Sequence, residues 1–306
     1  MKRAIVTGAT GMIASALIRT LVEKGVEVYA LCRPEDSKDD EFFKNPLVTA
    51  VDADITEYVS LASKIDKKCD VLYHFAWLGT FGGSRNDTYV QNDNIKYTLD
   101  AVKLAADTGC ECFVSAGSQA EYGRTTEKLT AETHANPETG YGIAKYTAGK
   151  LSRMYAQQLG LRHCWVRILS VFGQKGNPNS IIMSSLDKMI KGEYTSFTKG
   201  EQQWDFLHCD DAALAFYLIG EKGRDSAVYP LGSGETRMLA DYIKAMRDCV
   251  DPNLSVGIGD LPYNEGQVMY LCADISELTE DTGFVPGLTF EQGIMRTLQW
   301  MKGDKI

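Results

Sequence analysis

Tyr141 and Lys145 stand four residues apart in Tyr141-Gly142-Ile143-Ala144-Lys145, and Ser118 lies upstream in Ser118-Gln119-Ala120-Glu121-Tyr122-Gly123. On a helix that spacing puts the phenol and the ammonium on one face. An ammonium beside a phenol favours the phenolate and draws the phenol down from about 10. A group tuned in this way can exchange a proton with an alcohol or sugar oxygen. Ser118 can supply a second hydrogen bond to the same oxygen. Alone the spacing is weak, because an aromatic on a helix with a surface lysine behind it has the same pattern.

The N-terminal stretch adds a second constraint. Ala4 to Thr7 is a short apolar run, Gly8-Ala9-Thr10-Gly11 is a turn, and Met12 to Glu23 has helical periodicity. A glycine turn between a strand and a helix is the setting of a dinucleotide site. Gly8 permits the tight turn. Gly11 lets the backbone approach a pyrophosphate at the helix N-terminus, where Met12 and Ile13 follow. Ala14 takes the third, usually glycine, position and is still small enough for close helix–strand packing. After the second strand the chain reads Leu31-Cys32-Arg33-Pro34, with no carboxylate at the position that signals NAD. Arg33 there points to a 2′-phosphate and so to NADP(H), with NAD(H) still possible. Asp54, followed by Ile55, is placed after the third strand to meet the adenine.

The elements that must position these residues alternate. Strands are expected at Val26–Leu31, Leu47–Val51, Asp70–Phe75, Cys112–Ala116 and His163–Leu169. Helices are expected at Tyr58–Ile65, Asp87–Thr108 and Tyr141–Leu159, with Gly25, Gly109 and Gly160 as stops. The pattern predicts an α/β fold, a Rossmann-type doubly wound parallel sheet with a smaller C-terminal α/β substrate lobe. Residues 1–174 form the dinucleotide-binding domain, 204–222 pack back on it, and 175–306 are mainly the lobe. In that later part helices are expected at Ile181–Lys191, Asp210–Gly220, Met238–Cys249 and Phe290–Met301.

Composition narrows the class. The chain has 306 residues, is 44% apolar and carries a net charge of −9, which argues against a nucleic-acid partner. Its eight cysteines have no CxxC or metal-type spacing and read as reduced core residues, and no metal is expected. No signal peptide or membrane-length apolar run is visible, so cytoplasm is the expectation.

Together the motifs resemble the extended short-chain dehydrogenase/reductase family, the NAD(P)-dependent nucleotide-sugar epimerases, dehydratases and reductases. The carriers are the glycine turn, His74-Phe75-Ala76, Asn94, Ser118 with Tyr122-Gly123, Tyr141-xxx-Lys145, and Arg167 with Val171-Phe172-Gly173. Trp204-Asp205-Phe206 through Asp211 and Leu231-Gly232-Ser233-Gly234 complete them. The resemblance implies a proton shuttle at Tyr141, a nicotinamide-ribose contact and phenol tuning at Lys145, and a polarised C–O bond at Ser118. It implies cofactor contacts at Phe75 and Ala76 and substrate contacts near Trp77, Gln119, Ser170 and Trp204; Glu121 stands where the family has an apolar residue and either forms a salt bridge or lines the substrate pocket. It also implies a homodimer through a four-helix interface of the two long helices, with His74 a packed strand-end residue.

Departures from the family pattern bear on the reaction. Where dehydratases carry an acid–base pair after the serine, this chain has Gln119 and Ala120. Where the family has Arg before Asp-Phe and Asn near the substrate, it has Trp204 and Ser170. The first change removes the catalysts of water elimination and the second alters the nucleotide-binding mode, while Arg33, which favours an exchangeable NADP(H), makes net reduction the favoured reaction: an NADP(H)-dependent reductase of a 4-keto-6-deoxy nucleotide sugar. An NAD-dependent C4 epimerase uses the same residues and is the alternative. A non-catalytic NADP(H)-binding regulator is less favoured, because it would not need the serine, tyrosine and lysine together.

Overall fold

The structure, a computed structural model, describes residues 1–303. Seven parallel strands form the central sheet: β1 Arg3–Thr7, β2 Glu27–Cys32, β3 Val48–Asp52, β4 Val71–His74, β5 Cys112–Ser118, β6 Arg162–Ile168 and, after four short strands, β11 Val228–Leu231. Their spatial order is β11-β6-β5-β4-β1-β2-β3. The order reverses between β1 and β4, and a crevice opens beyond their C-terminal ends, where α/β sheets hold ligands.

Apolar residues on both faces of the strands explain the layers. One face packs against α1 (Met12–Glu23) and α5 (Cys209–Lys222), around Leu17, Leu21, Val114 and Phe216. The other packs against α2 (Thr88–Asp107) and α3 (Gly140–Gln158), around Leu72, Leu104 and Phe113. Both long helices begin on a side-chain cap. Asp87 accepts from the N–H groups of Tyr89 and Val90, and Thr139 accepts from Gly142 N–H.

Two local expectations change form. The helix expected at Tyr58–Ile65 is a 3-10 helix spanning Ile55–Lys64, with Ile65 just past its end, and is begun by a reciprocal cap between Asp54 and Glu57. Val228–Leu231, which the sequence division left in the lobe, is the outer strand of the main sheet. Pro230 lies inside it, and an edge strand tolerates a residue without an N–H. Helix α7 (Ser276–Thr282) also returns to α5.

The lobe has its own core of Phe172, Leu186, Phe206, Ile243, Phe290 and Ile294. It is built from α4 (Ile181–Ile190), α6 (Leu239–Val250) and α8 (Phe290–Met301). Its short strands pair as β7 (Ser170–Phe172) with β10 (Phe206–His208), β8 (Thr195–Phe197) with β13 (Val256–Ile258), and β9 (Gln203–Trp204) with β12 (Arg237–Met238). Asp205 ties the lobe to the sheet end. Its buried carboxylate accepts from the N–H groups of Ser233 (2.7 Å), Gly234 (3.2 Å) and Ala273 (3.0 Å) and from the Ser233 hydroxyl (2.7 Å). No helix among the described residues is long and apolar enough to cross a membrane.

Candidate active site

A cleft of about 1100 Å³ lies over the C-terminal ends of the strands, between sheet and lobe. Its floor begins at the glycine turn. The Thr7 hydroxyl oxygen accepts from Phe75 N–H (3.1 Å) and Ala76 N–H (3.2 Å) and meets His74 Nδ1 at 3.0 Å. Gly8 follows at φ +64, and a Cβ there would stand 3.0 Å from Ala76 N, so only glycine allows β1 and the β4 exit to approach this closely. Helix α1 starts at Gly11 with no side-chain cap and no acid in its first turn. The N–H groups at Met12 and Ile13 therefore remain for an anion, and both residues line the cleft with Gly8, Gly11 and Phe75. The residues present fit a dinucleotide pyrophosphate. His74 is buried, and burial lowers its pKa to about 3, so it is a neutral packing residue.

Ser118 ends β5 at the cleft, and Tyr141 and Lys145 face it from the first two turns of α3. The Lys145 ammonium donates to Ala116 O at 2.6 Å and lies 3.6 Å from the centroid of the Trp77 ring. Trp77 is held in turn by Nε1 donating to Gln91 at 3.0 Å. Burial pulls Lys145 down to about 7, against the opposing charge of Glu121.

Lys145 does not tune the phenol as expected. Its Nζ is 5.9 Å from the Tyr141 ring centroid, turned to the Trp77 face and the Ala116 carbonyl. Burial raises the Tyr141 phenol; hydrogen bonding with Ser118 and the positive charge of Arg85 oppose that rise. The phenol accordingly keeps its proton at neutral pH.

The remaining expected residues divide between cleft and scaffold. Gln119, Ser170 and Trp204 line the cleft. Trp204 Nε1 donates to Ser170 Oγ at 2.8 Å, so the two departures noted in the sequence form one hydrogen-bonded pair. Of the two expectations for Glu121, the structure shows the salt bridge and not the pocket contact: it is a core residue, 1% exposed, paired with Arg167. Its carboxylate accepts from Ser118 N–H (2.8 Å), Trp165 Nε1 (2.9 Å) and Arg167 Nε (2.8 Å), which commits both oxygens to holding the end of β5. Arg33 pairs with Asp36 at 2.6 Å and Glu35 at 3.4 Å. Asp36 also accepts from Thr10 Oγ1 at 3.2 Å, so a carboxylate does reach the glycine turn, from a loop position beyond the strand end. Asp54 caps the 3-10 helix through Thr56, Ile55 is in the core, and Ala76 supplies backbone against Gly8.

Sequence reasoning missed Arg85, Gln91 and Lys175. Arg85 lines the cleft with its Cζ 4.3 Å from the Tyr141 ring centroid. Gln91 is buried and donates to Gly79 O (2.9 Å) and Ser84 O (3.0 Å), bracing the loop that carries Trp77 and Arg85. Lys175 bridges the glycine turn at Thr10 O to Asp40. For Arg85 the available signal was position: the segment from Trp77 to Asn86 follows β4 at the strand-order reversal, where ligand contacts gather; Gln91 and Lys175 had none.

A family model described as the NAD dependent epimerase/dehydratase family matches residues 4–232. A Methanocaldococcus jannaschii protein, provisionally assigned as a UDP-glucose 4-epimerase, is 26% identical over 98% of this chain and 98% of its own. The solved UDP-glucuronic acid 4-epimerase of Bacillus cereus with NAD has a TM-score of 0.83 at 19% identity, covering 98% of this chain and 99% of its own. The RMD protein of Pseudomonas aeruginosa with NADPH has a TM-score of 0.82 at 20% identity, covering 98% of each.

Lys145 supplies a pH test. In the free protein its ammonium loses its proton above about 7. An anionic dinucleotide in the cleft favours the charged form, so binding on the alkaline side of 7 takes up a proton and weakens as pH rises further. Calorimetry in two buffers of different ionisation enthalpy reads that uptake. Lys145→Met should abolish it, and binding with no proton uptake in the native protein would contradict the assignment.

Proposed function

The chain belongs to the NAD dependent epimerase/dehydratase family, and from that premise we propose that it is an NADP(H)-dependent reductase of a 4-keto-6-deoxy nucleotide sugar. The observation that carries this reading is the chemistry missing beside Ser118. Among the described residues no Asp, Glu or His lines the cleft. Gln119 faces it, Ala120 has no proton to move, and Glu121 is bonded into the core. Elimination of water from an intact hexose needs a group that removes one proton and returns another. A cleft without that acid–base pair beside Ser118 suits a ketone that has already been made.

Each residue then has a task. A nicotinamide held in the cleft would supply the hydride. Tyr141 gives its proton to the carbonyl oxygen as that oxygen becomes an alkoxide, and Ser118 holds the same oxygen by its hydroxyl. Arg85 places positive charge beside the developing phenolate. Trp77, fixed by Gln91, forms the wall that keeps Lys145 from water.

NADP(H) is supported by Arg33, half exposed where β2 ends. The neighbouring Asp36 favours the second reading, an NAD-dependent C4 epimerase, because a carboxylate near the glycine turn suits ribose hydroxyls. Assembly is part of the same proposal. Tyr89 on α2 and Ile143, Leu151 and Met154 on α3 are exposed apolar residues on the paired long helices, and a second copy of the chain is the partner that would cover them.

Supplied with a 4-keto-6-deoxy nucleotide sugar, the protein should oxidise NADPH in proportion to the ketone. Interconversion of two nucleotide hexoses without loss of NADPH would assign it to the epimerases. A charge-assisted contact contributes about 1.5–3 kcal/mol, so Arg33→Asp should weaken NADPH at least about tenfold relative to NADH. Unchanged relative affinities by fluorescence titration would remove Arg33 from the cofactor site. In sedimentation the native chain should run as a dimer, and Ile143→Glu with Met154→Glu should yield monomers. A native monomer would contradict the shared interface.

A further inference from the structure

We propose that Arg85 is the positioning residue for Tyr141, its guanidinium lying over the phenol ring and stabilising the phenolate left when the proton departs. The inference rests on the reading of Tyr141 as proton donor and adds a residue that the tyrosine–lysine spacing does not contain.

The fold builds this contact. Arg85 lies in a 3-10 turn, Gly83–Asn86, which meets the start of α3. Asn86 Oδ1 accepts from Gly140 N–H at 3.0 Å, directly before Tyr141. A Cβ on Gly140 would stand 3.3 Å from Asn86 Cα and 3.4 Å from Arg85 O, so the missing side chain lets the two segments touch. Arg85 Nη1 donates to Thr80 O at 2.9 Å, which orients the guanidinium of this cleft-lining residue. The result is a planar cation 4.3 Å from the phenol ring centroid.

Other groups around Tyr141 leave this role open. Ser118 approaches from β5 and is neutral. Lys145, on α3 itself, has its ammonium 5.9 Å from the ring centroid and committed to Ala116 O and Trp77. Glu121, beyond β5, is negative and bonded to Arg167. Trp77 meets the Tyr141 ring edge-on at 6.0 Å and carries no charge. A guanidinium keeps its charge throughout the working range, whereas a buried ammonium does not. In the proton transfer the Tyr141 O–H bond breaks and an O–H bond forms on the sugar oxygen. The electron pair remains on the phenolate beneath Arg85 until solvent returns a proton.

The test needs no sugar substrate, so it stands apart from the reaction assigned above. The full chain is labelled with 13C at the tyrosine ζ carbon, and the Tyr141 signal is identified by its loss in Tyr141→Phe. Its titration midpoint is then followed by NMR. Arg85→Gln should raise the midpoint by about one pH unit, in line with removal of a nearby opposite charge. Arg85→Lys, which keeps the charge, should restore most of that shift. An unchanged or lowered midpoint in Arg85→Gln overturns the proposal, as does an equal rise in both variants, which would trace the effect to loop packing.

Discussion

The Thr7 hydroxyl is the point on which the cleft depends. It joins the end of β1 to the chain leaving β4, at the reversal of strand order. With Phe75 and Ala76 held there, Gly8 must pass within contact distance of Ala76, and the glycine turn then delivers the uncapped start of α1 into the cleft. The same chain continues to Trp77, whose ring receives the Lys145 ammonium. One hydroxyl thus fixes the anion cradle relative to the proton-transfer groups, with His74 buried and neutral as its partner.

Buried charge on either side stiffens that frame. Glu121 and Arg167 pair inside the sheet end, where each would be costly alone. Their pairing holds Ser118 through its backbone N–H, and so the charge serves the geometry of the site without entering the cleft. Asp205 does the corresponding work for the lobe, gathering three backbone N–H groups from two separate segments. The cleft between them is lined by hydroxyls, amides, aromatic rings, cations and aliphatic side chains, a lining that can hold a substrate with both polar and apolar parts.

Much of the fold was legible because periodicity and glycine stops are local signals. Helices α1 and α8 begin and end at the residues expected, and the sheet follows the predicted alternation. The seventh strand was less legible because Pro230 interrupts a short run that only an edge position can accommodate. Tyr58–Ile65 showed a helical pattern, but spacing alone does not distinguish its tighter 3-10 winding. Ser118, Tyr141 and Lys145 could be named from sequence; their partners could not. Arg85 reaches Tyr141, and Trp77 reaches Lys145, across more than fifty residues of chain, where spacing carries no information. Trp204 and Ser170 were each visible as departures, yet only folding reveals them as one pair. The acid near the glycine turn escaped notice because Asp36 comes from a loop and not from the strand end.

The central claim is that Tyr141 donates the proton while its ring is part of the packing around the site. The most direct measurement compares the native chain with Tyr141→Phe for NADPH binding by fluorescence and for turnover of a 4-keto-6-deoxy nucleotide sugar. The account predicts binding within about twofold of native and turnover lower by about a hundredfold to ten-thousandfold. A variant that retains most of its turnover would contradict it.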